Sequence, residues 1–198
     1  MNRIACASGV AALTACVWLS STPVSAQERE FAQAGTIEIA GGISFASITP
    51  VSNGQTENAT TLFSFAPEVS YYVTDGFEIG FSPGISLLPG VSVITPSSGQ
   101  GTTLLQLFAS PAYTFHRTGN QANPFLQLQL GYTSASSGSI TESGFSWGVR
   151  GGLKIIATSH MLVTMYAQYH ALSFTPKGDS ERTGMNVLSF GVAVGGFF

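Results

Sequence analysis

Along most of this chain apolar and polar side chains trade places at every second residue, the period of a β-strand whose two faces meet different surroundings. The pattern is cleanest over 124–133, where Leu126, Leu128, Leu130 and Tyr132 alternate with Gln127, Gln129, Gly131 and Thr133. The same reading predicts strands over 36–47, 62–73, 77–88, 103–115, 144–156, 161–172 and 185–198. That makes eight, each about as long as the 9–11 residues that cross a bilayer at a tilt. In the last of them Leu188, Phe190, Val192, Val194 and Phe198 share one face, and Ser189, Gly191, Ala193 and Gly195 share the other. It runs apolar to an aromatic end, as suits a strand that finishes at a membrane interface.

The connections carry a second regularity. Asp75-Gly76 between alternating runs is a strong tight-turn signal; 157–160 is a short turn and 116–123 a polar one. Segments 50–60, 89–102, 134–143 and 173–184 are polar and longer, and are expected as loops. Both chain ends then fall on the short-turn side, which is periplasmic in barrels of this kind, with the loops outside the cell.

Which face is outside follows from composition. Charged residues make up 9% of the chain and hydrophobic ones 44%, against about 25% charged in ordinary soluble domains. So few charges cannot cover a water-facing surface. A soluble ligand-binding barrel would place the apolar face inward, yet an eight-stranded interior is just wide enough to be filled by side chains. Small and polar residues therefore belong inside and bulky apolar ones against lipid. Beyond residue 26 no stretch approaches the roughly 18 apolar residues of a spanning helix, so a closed barrel is the spanning structure that satisfies its backbone groups. The expected fold is all-β, an eight-stranded antiparallel transmembrane up-and-down barrel. A net charge of −3 argues against nucleic acid.

The beginning of the chain reads as a targeting segment. Arg3 supplies a positive charge, Ile4 to Leu19 an apolar run, and Val24-Ser25-Ala26 an A-x-A-like cleavage site. The expected division is a signal peptide over 1–26, a short polar periplasmic lead-in over 27–34, and the barrel over 35–198. Cys6 and Cys16 fall in the part removed, so no disulfide is expected. Leu13-Thr14-Ala15-Cys16 also reads as a lipobox, which would make Cys16 a lipidated N-terminus; against it, Val17, Trp18 and Leu19 continue the apolar run where a polar tether usually follows.

Inside, three carboxylates, Glu38, Glu68 and Glu78, face two cations, Arg150 and Lys154. Charges in a narrow lumen are costly unless paired, so these five are expected to form an interior salt-bridge network that plugs the barrel, with Glu78 and Lys154 near the periplasmic end and Glu68 and Arg150 higher. A gated path for small ions or protons is the functional alternative. The outward aromatics Phe65, Tyr71, Phe77, Tyr113, Phe115, Phe145, Trp147, Tyr169 and Phe198 gather toward strand ends as interfacial girdles do, whereas Phe81 and Phe190 sit nearer the middle.

Segment 65–80, a Pro-containing strand followed by a tight turn and an apolar strand, resembles the second hairpin of the outer-membrane β-barrel domain family, which is similar to the small eight-stranded barrels of the OmpA and OmpX type. Segment 123–132 is similar to that family's fifth strand, and the resemblance covers about 35–198. It implies that Phe190, Val192, Val194 and Phe198 act as an assembly signal for the barrel-assembly machinery, although Gly196 stands where members usually carry a hydrophobic or aromatic residue. The fold it implies hosts no fixed activity.

Catalytic chemistry has little to stand on. His170 and Ser173, with Asp179 or Glu181, could compose a Ser-His-acid set, but alternation puts His170 and Ser173 on opposite faces. His116 and His160 are expected as solvated turn residues. No Cys, His and carboxylate cluster has metal-ligand spacing and no Gly-rich loop suits phosphate, so neither a metal nor another cofactor is expected. The reading is a monomeric, non-enzymatic integral outer-membrane barrel whose partners are the bilayer, lipopolysaccharide and whatever meets its outer loops. A lipid-modifying enzyme of the lipid A deacylase kind and a narrow pore are the alternatives.

Overall fold

The computed structural model describes residues 31–52, 55–56, 60–88, 102–117, 119–137, 140–174 and 183–198. The expected signal peptide, the Cys16 lipobox, and Asp179 and Glu181 all lie outside them. Eight long strands appear: β1 Ile37–Ser52, β2 Thr60–Thr74, β3 Phe77–Leu88, β4 Thr102–Thr114, β5 Ala122–Ser137, β6 Ile140–Thr158, β7 Met161–Phe174 and β8 Thr183–Phe197. Each pairs antiparallel with its neighbour in the chain, and β8 pairs with β1 from Glu38↔Phe197 to Val51↔Gly184, which closes the sheet into a barrel. The seam is fastened by reciprocal bonds of 3.0 Å, Ile37 N to Phe198 O and Phe198 N to Ile37 O. We call the end holding this seam the terminal end and the other the loop end.

Alternation determines the faces as expected. Ile39, Phe65, Phe81, Leu105, Leu128, Val149, Met165 and Val194 all point away from the barrel and are exposed, while Ser44, Ser70, Ser110, Gln129, Thr164 and Ser189 are buried in the lumen. Aromatic pairs sit toward both rims: Tyr113–Phe115 with ring centroids 5.0 Å apart near the terminal end, Phe45–Phe63 at 5.5 Å and Trp147–Tyr169 at 6.1 Å near the loop end. At the loop-end rim Tyr132 donates to Ser143 Oγ and Tyr169 to Asn186 Oδ1 at 3.0 Å, so each phenol keeps its ring in the apolar belt and its hydroxyl on the polar collar above.

The strands outrun the predicted boundaries at the loop end. Segment 134–143, expected as a Ser-rich loop, is largely strand: β5 and β6 stay in register through Ser134↔Ser143 and Ala135↔Glu142 to Ser137↔Ile140. The β1–β2 connection, expected over 50–60, is likewise shortened, because β1 continues to Ser52 and Gln55–Thr56 pairs back on Val51 and Ser52. A strand that has left the lipid needs no apolar outer face, and short hydroxyl side chains on both faces carry no hydrophobic period to betray it.

Candidate functional site

The site with the most chemistry is the lumen, where period two alone aims Arg150 and Lys154 inward from the same face of β6, separated by roughly 13 Å of strand. The structure brings the five inward charges together, but as two clusters rather than one continuous network. Toward the terminal end, Lys154 Nζ donates to Glu38 Oε2 at 2.7 Å, Glu78 Oε1 at 2.6 Å and the Tyr72 hydroxyl at 3.1 Å. Tyr72 in turn donates to Glu38 Oε2 at 3.2 Å. Higher up, Arg150 Nη1 meets Glu68 Oε2 at 2.7 Å and its Nε donates to Gln168 Oε1 at 2.9 Å. Gln127 Nε2 donates to the other Glu68 oxygen at 2.5 Å, and the guanidinium lies 4.4 Å from the centre of the Tyr166 ring. Between the clusters lies a cavity of about 30 Å³ bordered by Glu38, Glu68, Gln127, Arg150 and Lys154. A second, of about 20 Å³, is bordered by Gln106, Arg150, Tyr166 and His170. Each is of the size that holds a water molecule or two.

Tyr166 and His170 fill the bore because the neighbouring strands give way. Tyr166 is paired with Gly152 on β6 and Gly191 on β8; a Cβ at Gly191 would fall 2.4 Å from Tyr166 Cζ. His170 is paired with Gly148, where a Cβ would fall 1.9 Å from its ring. Its ring stacks on Phe108 at 4.9 Å, and its Nε2 lies 2.5 Å from Gln129 Oε1. His170 is thus a lumen residue. Ser173 is exposed on the other face of β7, so the two cannot act as a nucleophile and base pair. Among the described residues no group of three or more His, Cys, Asp or Glu is placed to hold a metal ion.

Two further features fill the ends of the interior. At the loop end the inward face turns apolar: Ala46, Ile48, Leu62, Leu104, Ala135, Leu172, Met185 and Val187 form one buried cluster across the bore. Their parity alone marks them as inward. At the terminal end residues 31–34 of the expected lead-in are folded into the mouth, with Phe31 and Ala32 buried against Tyr72, Leu162 and Phe197. An isolated Phe in a polar segment has no period to announce it. Phe31 also covers His116, its ring edge-on at 5.7 Å, so His116 is a half-buried packing residue bonded to Asn123 Oδ1 at 3.2 Å rather than a solvated one. His160 is exposed, as expected.

On the outer wall Phe190, Val192, Val194 and Phe198 all point outward and are exposed. A Cβ on Gly196 would meet the Phe198 ring at 3.3 Å. A Cβ there would also meet the His160 carbonyl at 3.1 Å, so the glycine lets both the His160 backbone and the terminal ring lie close over it.

No protein-family model matches the chain. No curated protein matches it either. Solved structures do. Neisserial surface protein A is similar with a TM-score of 0.55 and 19% identity over 79% of this chain and 96% of that one. The outer membrane protein OprG of Pseudomonas aeruginosa has a TM-score of 0.54 and 14% identity over 84% and 97%. Ail of Yersinia pestis has a TM-score of 0.51 and 16% identity over 84% and 100%. At such identities the likeness speaks of architecture alone, and with the closed sheet and outward apolar belt it gives the identification: the chain has the fold of the small eight-stranded outer-membrane β-barrels.

Proposed function

We propose that this chain is a non-enzymatic integral protein of the bacterial outer membrane, with a structural or surface-interaction role exercised by its loop end, and with both termini on the periplasmic side. The observation that carries this reading is the closed lumen: paired charges from the terminal end to mid-height, an apolar cluster across the loop end and Phe31 in the terminal mouth. Such a bore favours neither solute passage, since apolar constrictions exclude hydrated ions, nor hydrolysis, since His170 is walled in. The partners on this reading are the bilayer, lipopolysaccharide at the polar collar, and the assembly machinery engaging Phe190, Val192, Val194 and Phe198 during insertion of a monomer.

Ail has been solved in complex with the heparin analogue sucrose octasulfate. A polyanion suits this chain poorly, because its loop-end segments carry Glu57, Glu142, Asp179 and Glu181 against Lys177 and Arg182. An uncharged, hydroxyl-bearing partner fits their Ser, Thr and Asn content better. The test is planar-bilayer recording of the refolded mature protein beside a binding screen in which the loop-end segments are exchanged. Silence in the bilayer and binding that follows the exchanged segments are expected. Sustained unitary currents from the unmodified protein would overturn the reading.

A further inference from the structure

We propose that residues 31–36 are a removable stopper in the terminal mouth of the barrel, with Phe31 as the group that keeps water from Lys154. The Phe31 ring is 2% exposed, although it belongs to no strand. It sits edge-on to Tyr72, with ring centroids 6.0 Å apart, and to Phe197, at 5.4 Å; Lys154 Nζ lies 5.9 Å from its centre. It therefore stands directly between the terminal mouth and the Lys154, Glu38 and Glu78 cluster.

Phe31 packs on Phe197 and His116 as well as Tyr72, while four hydrogen bonds tie the segment to the β2–β3 hairpin. Gly35 N donates to Tyr72 O at 2.7 Å, Tyr72 N to Thr36 O at 2.9 Å and Gly76 N to Ala32 O at 2.8 Å. Ala34 N donates to Asp75 Oδ1 at 2.9 Å. Two of these bonds reach Tyr72 near the end of β2, and two reach the Asp75-Gly76 turn that follows it. The two bonds to Tyr72 border the β1–β2 ladder, but the ladder itself begins at Ile37↔Tyr71 and includes none of residues 31–36, so the stopper can leave without opening the barrel. Two backbone angles favour such a release. Ala32 is held at φ 63°, a conformation that side-chain-bearing residues rarely adopt, and Gly35, at φ 88°, supplies a swivel just ahead of β1. The seat is thus well packed but strained, and its departure would hydrate Lys154, Glu38 and Glu78, which are otherwise buried.

The inference deepens the closed-lumen reading and rests on it. Residues 27–198 contain no cysteine, so Ala40→Cys places a single thiol beside the cavity that Lys154 borders. The full mature protein, refolded in lipid vesicles and checked for heat-modifiable migration, is exposed to methyl methanethiosulfonate, and modification is followed by intact mass. Adding Phe31→Ala is expected to speed modification about tenfold or more, and adding Asp75→Ala, which removes one tie, to speed it by a smaller factor. If both folded variants react no faster than Ala40→Cys alone, the stopper is refuted while the closed lumen stands. Should Ala40→Cys by itself react as fast as a loop-end cysteine, both readings fall. If Phe31→Ala does not fold, Asp75→Ala decides: acceleration supports the stopper and an unchanged rate overturns it.

Discussion

Replacing Lys154 by Met removes the cation that two buried carboxylates share, while filling nearly the same volume. Lys154 and Glu78 have side chains 5% and 1% exposed, and Glu38 is similarly enclosed. Deleting one partner of a buried pair typically costs about 3–5 kcal/mol, because the charge left behind can neither return to water nor find a counter-ion. Here two carboxylates are stranded, and Tyr72 cannot serve both, so the upper end of that range, about 5 kcal/mol, is expected. Neutralising the carboxylates as well, with Glu38→Gln and Glu78→Gln, should restore most of the loss, since what destabilises is the unpaired charge rather than the missing pair. The measurement is urea unfolding in lipid vesicles. Trp147 on the lipid-facing wall reports it, being the one tryptophan beyond residue 26. A Lys154→Met barrel within about 1 kcal/mol of the parent, or a triple variant no better than the single one, would refute the argument that the lumen charges are held as mutually dependent pairs.

Other consequences can be checked with the same preparation. Gly191→Ala should destabilise by about 1–3 kcal/mol through collision with the Tyr166 ring, and Tyr166→Leu in the same chain should recover much of it. Leu128→Lys, at an outward position mid-way along β5, is expected to cost about 2–4 kcal/mol in the bilayer; no cost would mean the faces are assigned backwards. His170→Ala should leave the lipid A mass spectrum of expressing cells unchanged, and any loss of a lipid modification would revive the hydrolase reading.

What the sequence disclosed followed wherever the environment on the two sides of the sheet differed most. Within the membrane-spanning belt lipid and lumen impose opposite demands, so residues such as Leu126 to Thr133 declare their faces without ambiguity, and the ends of β3 agree with the structure to the residue. The inward charges were legible for the same reason: Glu38, Glu68, Glu78, Arg150 and Lys154 each interrupt a run of small polar residues. Their grouping into two clusters was not, because it depends on strand stagger, and so do the glycines opposite Tyr166 and His170. At the loop end the outer face is no longer apolar, and over 133–143 hydroxyl side chains stand on both faces. The contrast vanishes there, and with it the boundary of β5 and β6. Ile48 and Leu104 have inward parity, but nothing in the alternation says that they meet across the bore. Phe31 left no trace in any pattern, since a single residue has no period.

The reciprocal bonds between Ile37 and Phe198 couple the first strand of the barrel to the last. Until the final strand arrives, β1 carries a row of unmatched amide and carbonyl groups, and so does whichever strand is newest. Hydrocarbon tolerates neither edge. A chain built this way has no comfortable halfway stage inside a bilayer, so entry and ring closure must happen nearly together, or beside a helper that lends both borders a temporary companion.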